Sequence, residues 1–217
     1  MKEITIVPSI LSANFLTLQQ TLSKIEQTQV KWIHIDIMDG HFVPNLTFGP
    51  IIVKFLRYIT NLFFDVHLMV TNPEQYWYEL KQVGANVITF HNETNTNKKQ
   101  LIDNIKSTTN IKVGLAISPE TNIKQIIDLL PYLDIVLIMT VQPGFGGQVF
   151  LTSMISKIEQ LRYIINKNKY QCLIEVDGGI NKDTAILCIN AGANILVSGN
   201  YIFSATNITD AIKSLVI

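Results

Sequence analysis

His34-Ile35-Asp36-Ile37-Met38-Asp39-Gly40 places an aliphatic residue at every second position up to Met38, the period-2 signature of a β-strand. His34, Asp36 and Met38 therefore share one face, and Ile35 and Ile37 share the other. A histidine and a carboxylate two residues apart on a buried strand are costly to desolvate unless something compensates them. A bound metal ion would do so. Phe63-Phe64-Asp65-Val66-His67-Leu68-Met69-Val70 repeats the idea, with His67 and Met69 on one face. Cys172-Leu173-Ile174-Glu175-Val176-Asp177-Gly178-Gly179 brings a further carboxylate to a strand end. Two histidines and two aspartates at the ends of separate strands point to a metal site.

Outward from these strands, short β-rich apolar runs alternate with amphipathic stretches along the whole chain. Strands are expected near 4–11, 32–38, 63–70, 86–92, 111–117, 134–141, 171–177 and 194–199. Helical patterns cover Leu16–Thr28, Pro73–Val83, Met154–Asn166 and Lys182–Ala191, among others. Pro73 suits a first helical turn with Asn72 as its N-cap, and Gly84 suits the stop. Eight strands, each followed by a helix-sized segment at about 27 residues per unit, predict an α/β fold: one (βα)8 TIM barrel over residues 1–217. A doubly wound open sheet is the alternative. It would normally carry a glycine-rich fingerprint after its first strand, and Pro8-Ser9-Ile10-Leu11 contains no glycine. In a barrel, chemistry belongs at the C-terminal strand ends, where Ser9, His34, Asp36, His67, His91 and Asp177 all fall.

Composition narrows the partners. Of the 217 residues 47% are hydrophobic and 16% charged, and the formal net charge is zero. A sizeable core is available, with no electrostatic case for nucleic acid or an anionic membrane as partner. Cys172 and Cys188 show no CxxC spacing and read as small buried hydrophobes. The N-terminus lacks a signal-peptide pattern and no apolar run approaches the ~18–20 residues that span a bilayer. A soluble, cytoplasmic protein is expected.

Three glycine segments follow the last three strands: Gly144-Phe145-Gly146-Gly147, Gly178-Gly179 and Ser198-Gly199-Asn200. Barrels commonly seat phosphate at the loops after strands 7 and 8, where glycine lets backbone N–H groups approach the anion. Together these segments predict a small phosphorylated ligand held by backbone. Only Arg57 and Arg162 supply arginine.

These segments also carry a family resemblance. Pro8-Ser9-Ile10-Leu11-Ser12-Ala13, the run from His34 through Asp39-Gly40-His41-Phe42-Val43-Pro44-Asn45, and Asp65-Val66-His67-Leu68-Met69 match it in order. Met139-Thr140-Val141, Pro143-Gly144-Phe145-Gly146-Gly147-Gln148 and Glu175-Val176-Asp177-Gly178-Gly179-Ile180 complete the set. Over essentially its whole length the chain resembles the ribulose-phosphate 3-epimerase family, enzymes of the pentose phosphate pathway with a barrel of the ribulose-phosphate-binding type. The resemblance implies that His34, Asp36, His67 and Asp177 bind one divalent metal ion, with Asp36 and Asp177 as the acid/base pair. It implies that Ser9 contacts the substrate. Gly146, Gly147, Gly178, Gly179, Ser198, Gly199 and Asn200 would lie around its phosphate, with Gly144 in the same loop. A homo-oligomer, dimer or hexamer, is also implied. Departures stand at Gln142, Asn92 and Ser198, where the family more often has Asn, an aliphatic residue and a small apolar residue.

The residue chemistry suits that activity. Inverting a carbon α to a ketone needs proton removal from one face and return to the other. Two opposed carboxylates achieve this, and a divalent ion stabilises the enediolate between the two steps. Two histidines and two carboxylates suit Zn²⁺, with Fe²⁺, Mn²⁺ or Co²⁺ as competitors. Met38, Met69 and Met139 occupy matching strand-end positions and are expected to line the substrate chamber against water, and His67 is expected to contact the substrate as well. Glu175 lies deeper with the same parity as Asp177 and is expected to support the ligands from beneath. Asp39 faces away and stabilises the Gly40 turn, while His41 and His91 either touch substrate or satisfy loops. A Schiff-base aldolase fails for lack of a lysine at a strand end, Lys31 and Lys112 being at strand beginnings. A phosphosugar decarboxylase would need a lysine in the His34–Asp36 strand. A phosphosugar-binding protein would not need opposed carboxylates. A six-carbon ketose phosphate is the nearest competing substrate.

Overall fold

Runs rich in Ile, Val, Leu and Phe form strands that are buried on both faces, as a parallel sheet wrapped by helices requires. A computed structural model describes residues 4–108 and 111–215. Among these, eight strands form one parallel sheet: β1 (Thr5–Pro8), β2 (Trp32–Met38), β3 (Phe63–Met69), β4 (Val87–His91), β5 (Lys112–Ile117), β6 (Ile135–Met139), β7 (Leu173–Asp177) and β8 (Ile195–Ser198). Their spatial order is β1-β8-β7-β6-β5-β4-β3-β2. A parallel bridge between Ser9 and His34 brings the free edge of β1 onto β2 and all but closes the barrel. The expected (βα)8 architecture is the one observed.

Among the described residues eight α-helices cover the sheet: α1 (Leu18–Glu26), α2 (Pro50–Ile59), α3 (Trp77–Gln82), α4 (Lys98–Thr108), α5 (Met154–Asn168), α6 (Lys182–Ala191), α7 (Asn200–Phe203) and α8 (Ile208–Lys213). Leu18, Leu22 and Ile25 bury the inner stripe of α1, as their spacing predicts. Several boundaries differ from the expectation. The first strand stops at Pro8, because Ser9 Oγ accepts from Leu11 N at 3.3 Å and turns the chain into a 3₁₀ turn. The helix expected over 73–83 divides into a 3₁₀ turn, Pro73–Gln75, and α3. Asn72 makes no side-chain capping bond there. Between β5 and β6 the covering segment is two 3₁₀ helices, Ile123–Gln125 and Ile127–Tyr132. Pro131 lies inside the second, and its missing N–H prevents an α-helix from running through it.

Register positions the chemistry. His34 pairs opposite Asp65, Asp36 opposite His67 and Met38 opposite Met69, while Met139 pairs opposite Asp177. Parallel partners point to the same face, so these polar groups converge inside the barrel. Toward the N-terminal ends Val7, Val87, Ile135 and Ile195 fill the interior against Trp32, Phe63 and Leu173. Both arginines also serve structure. Arg57 Nη1 donates to the Leu62 carbonyl at 2.9 Å, and its Nη2 donates to that of Gly84 at 2.9 Å. Arg162 Nη2 donates to the Gly192 carbonyl at 2.7 Å. These loops lead into β3, β4 and β8, the end of the barrel remote from Asp36 and Asp177.

Gly178 shows how closely the β7 loop is packed. Its φ is +120°, and a Cβ there would lie 2.4 Å from Val141 Cγ2 and 2.9 Å from the Val141 backbone nitrogen. Strain at a left-handed position and overpacking both oppose alanine. Gly178→Ala is therefore expected to cost about 2–4 kcal/mol in urea denaturation, and a loss below about 0.5 kcal/mol would contradict this packing.

Candidate active site

Four side chains from β2, β3 and β7 meet at the C-terminal end of the barrel. His34, Asp36, His67 and Asp177 each offer one ligating atom, and these atoms all lie within 4.8 Å of one another. His34 Nε2 is 3.3 Å from Asp36 Oδ1 and 3.9 Å from Asp177 Oδ2. His67 Nδ1 is 3.1 Å from the same Asp36 oxygen and 3.4 Å from His34 Nε2. For four donors at metal–ligand distances typical of zinc, a tetrahedron would have edges of about 3.3 Å. The donor set fits a metal ion on spacing alone.

Hydrogen bonds aim the donors. His34 Nδ1 lies 2.7 Å from Asp65 Oδ2, so a proton there leaves the Nε2 lone pair facing the cluster. Asp36 Oδ2 accepts from Ser9 Oγ at 2.7 Å, which leaves Oδ1 toward the two imidazoles. His67 Nε2 lies 2.8 Å from His91 Nε2, and His91 Nδ1 lies 3.1 Å from Glu93 Oε2. The backbone of β2 is held by Thr47, whose Oγ1 donates to the Asp36 carbonyl at 2.8 Å and accepts from Met38 N at 3.0 Å.

Burial and mutual charge set the electrostatics. Burial opposes ionisation of Asp36, but His34 and His67 outweigh it and hold its pKa far below the carboxylate range. Burial lowers the His34 pKa, but Asp36 and Asp65 override it and raise it well above the ordinary histidine value. Asp177 is pushed up to about 7, first by burial and then by the Asp36 charge. Burial, reinforced by Asp65, also raises Glu175 well above its ordinary value. Both oxygens of Glu175 and Oδ1 of Asp65 are buried without a hydrogen-bond partner. So many acidic groups in one dry interior favour a cation.

Above the cluster opens a chamber of about 540 Å³. Ser9, Asp36, Met38, Met69, Met139, Gly144, Gly146, Gly147, Asp177, Gly178, Gly179, Gly199 and Asn200 all line it. The three methionines are each 2% exposed. His34 and His67 are fully buried beneath this chamber and do not line it. Ser198 stands apart from the other residues expected around the phosphate. Its Oγ donates to the Ile180 carbonyl at 2.8 Å, so it braces the β7 loop from behind instead of lining the chamber. No lysine or arginine lines the chamber among the described residues.

The loops at this end are tied to one another. Asp39 accepts from His41 N, Phe42 N and Thr71 N, each at 2.8 Å, which joins the ends of β2 and β3. Burial acts against its ionisation, but these N–H groups dominate and lower its pKa to about 2. Asn45 Nδ2 donates to the Gly144 carbonyl at 3.0 Å, linking the β2 loop to the β6 loop. Gln142 Nε2 bonds Glu120, and Asn92 Nδ2 donates to Gln125 Oε1 at 3.1 Å. Asp65, Glu93, Thr47 and Asn45 are the functional partners that sequence reasoning missed, while His91, left open there between substrate and loop, instead contacts His67. Asp65 carried a usable signal, since it shares the inward parity of His67; the others depend on contacts between loops.

The sequence profile of the ribulose-phosphate 3 epimerase family matches residues 5–203. Ribulose-phosphate 3-epimerase of Bacillus subtilis is 42% identical over 213 residues, which cover 98% of each chain. The chloroplastic ribulose-5-phosphate-3-epimerase of Arabidopsis thaliana is 41% identical, over 98% of this chain and 76% of its own. In fold the chain is similar to 3-keto-L-gulonate-6-phosphate decarboxylase of Vibrio cholerae, with a TM-score of 0.69 at 15% identity over 99% and 96% of the two chains. That likeness is one of architecture. Sequence and site together assign the chain: it belongs to the ribulose-phosphate 3-epimerase family.

Proposed function

We propose that this protein interconverts D-ribulose 5-phosphate and D-xylulose 5-phosphate by inverting C3, as an enzyme of the pentose phosphate pathway. The observation that carries the reading is the meeting of Asp36 and Asp177 with His34 and His67 under one chamber. The whole chain, 1–217, acts as one catalytic barrel in this reading.

Asp36 and Asp177 exchange protons with C3. Across the barrel closure their strands, β2 and β7, are separated by β1 and β8, so the carboxylates approach the substrate from different sides. One removes the C3 proton and the other returns a proton to the opposite face; the roles reverse with the direction of reaction. Ser9 orients Asp36 by donating to Oδ2. Met38, Met69 and Met139 exclude water from the reacting carbons. A divalent cation held by His34, Asp36, His67 and Asp177 would supply Lewis-acid stabilisation of the negative charge that develops on the substrate oxygens. Zinc suits two nitrogen and two oxygen donors, with Fe²⁺, Mn²⁺ and Co²⁺ as alternatives. With no cationic side chain in the chamber wall among the described residues, the phosphate is held by backbone N–H groups of the Gly146-Gly147, Gly178-Gly179 and Gly199-Asn200 loops, with Asn200 beside them.

We further place the protein in the cytoplasm, since buried free Cys172 and Cys188 suit a reducing compartment. No helix among the described residues is long and apolar enough to cross a membrane. A homo-oligomer is proposed as well, supported by exposed Leu16, Phe55 and Tyr58 beside one another on the α1–α2 face. The deciding experiment for the activity is a coupled assay of ribulose 5-phosphate conversion, with a six-carbon ketose phosphate in parallel. Preferred turnover of the pentose is expected. Turnover of the hexose alone would reassign the substrate, and no turnover of either in metal-replete protein would overturn the reading.

A further inference from the structure

His67 is buried with both ring nitrogens engaged, and its far partner leads away from the reaction chamber. We infer that Glu93 is a positioning residue: acting through His91, it fixes His67 in the tautomer whose Nδ1 lone pair is free to bind a metal ion. The inference rests on the metal-site reading given above and extends it to a carboxylate that touches neither metal nor substrate.

An N···N separation of 2.8 Å between His67 Nε2 and His91 Nε2 requires one N–H and one lone pair. Which ring supplies the proton is decided at the other side of His91. There Nδ1 faces Glu93 Oε2 at 3.1 Å, and an ionised carboxylate only accepts. His91 therefore keeps its proton on Nδ1 and presents a lone pair at Nε2. His67 must then donate from Nε2, and its Nδ1 is left unprotonated. That atom faces Asp36 Oδ1 at 3.1 Å and His34 Nε2 at 3.4 Å. An ionised Asp36 also only accepts, so this tautomer holds where a cation joins the facing acceptors, whereas in the metal-free chain Asp36 competes to draw the proton to Nδ1. In the other tautomer an N–H would point into the cluster and occupy the position of a metal bond.

The carboxylate is itself held from behind. Glu93 Oε1 accepts from Ser118 N at 2.9 Å and from the Thr121 hydroxyl. Lys157 Nζ, on α5, pins the same loop by donating to the carbonyls of Ser118 at 3.1 Å, Pro119 at 2.6 Å and Thr121 at 2.9 Å. Burial works against ionisation of Glu93, but His91, Thr121 and Ser118 prevail and hold its pKa at about 2.

This geometry makes Glu93→Gln informative. Ser118 N–H still demands an oxygen, so the amide NH₂ must face His91 Nδ1. Each hydrogen bond along the chain then reverses: His91 is protonated on Nε2, His67 on Nδ1. No bond is lost, yet the metal ligand is blocked. The test measures Zn²⁺ affinity by chelator competition for the wild type, Glu93→Gln and Glu93→Asp. It also records imidazole ¹⁵N spectra of the full chain loaded with Zn²⁺. In the wild type His67 is expected to carry its proton on Nε2. Glu93→Gln should shift the His91 proton from Nδ1 to Nε2, where it opposes the His67 N–H, and weaken Zn²⁺ binding by at least about tenfold, and Glu93→Asp should recover most of the loss. Zn²⁺ binding by folded Glu93→Gln within about twofold of wild type would overturn the inference, as would an Nε2-protonated His91 in the Zn²⁺-loaded wild type. The wild-type spectrum needs no variant, so it decides even where Glu93→Gln misfolds. A wild type that takes up no Zn²⁺ would instead remove the metal reading itself, and the positioning role with it.

Discussion

Asp36→Asn and Asp177→Asn are each expected to lower kcat for epimerisation by about three orders of magnitude or more, the range for removing a general acid or base. Asparagine keeps the shape and one oxygen but cannot accept the C3 proton. Because both residues are also proposed ligands, metal content must be measured on the same samples, so that loss of the ion is not read as loss of the base. A second readout separates the two roles. With one carboxylate remaining, C3 of only one epimer still faces a base, so each variant should exchange that proton with D₂O for one epimer without inverting it. The two variants should favour opposite epimers. Retention of more than roughly a tenth of wild-type kcat in either folded, metal-replete variant would sink the two-base scheme.

Removal of the divalent ion is expected to have an effect of similar size. Proton abstraction next to a ketone leaves charge on oxygen, and among the described residues the chamber wall offers no lysine or arginine to neutralise it. His34, Asp36, His67 and Asp177 have donor atoms spaced as a metal polyhedron requires. Chelation should therefore reduce turnover by at least about a hundredfold, and add-back of one ion per chain should restore it. Elemental analysis of the chelated protein is essential, since a site buried this deeply releases its ion slowly. A chain below about one-tenth occupancy that still turns over at the full rate would discard Lewis-acid stabilisation while leaving the epimerase reading in place.

Much of the architecture is legible in local pattern. Period-2 alternation in 34–38 and 63–69 identifies strands and assigns His34, Asp36 and His67 to one face, because side-chain direction along a strand depends only on the residue's own neighbours. The same parity rule would have found Asp65, whose inward position follows from that of His67 two residues on. Element ends were less legible. The first strand stops early because the Ser9 hydroxyl competes for the Leu11 N–H, and Pro131 replaces an expected helix with 3₁₀ turns.

The sequence by itself determined the barrel, the strand ends that carry chemistry and the residue types gathered there. Tertiary structure decided what each polar atom faces. Asp65 meets His34, and Glu93 reaches His67 through His91, only because neighbouring strands take one register and the barrel curves their ends together. It also turned Ser198 toward the Ile180 carbonyl and away from the chamber, and carried both arginines to the loops at the opposite end. Local pattern fixes the face on which a side chain lies. The hydrogen-bond partner it finds, and hence its tautomer and charge, is set by residues distant in sequence that only the closed sheet brings within about 3 Å.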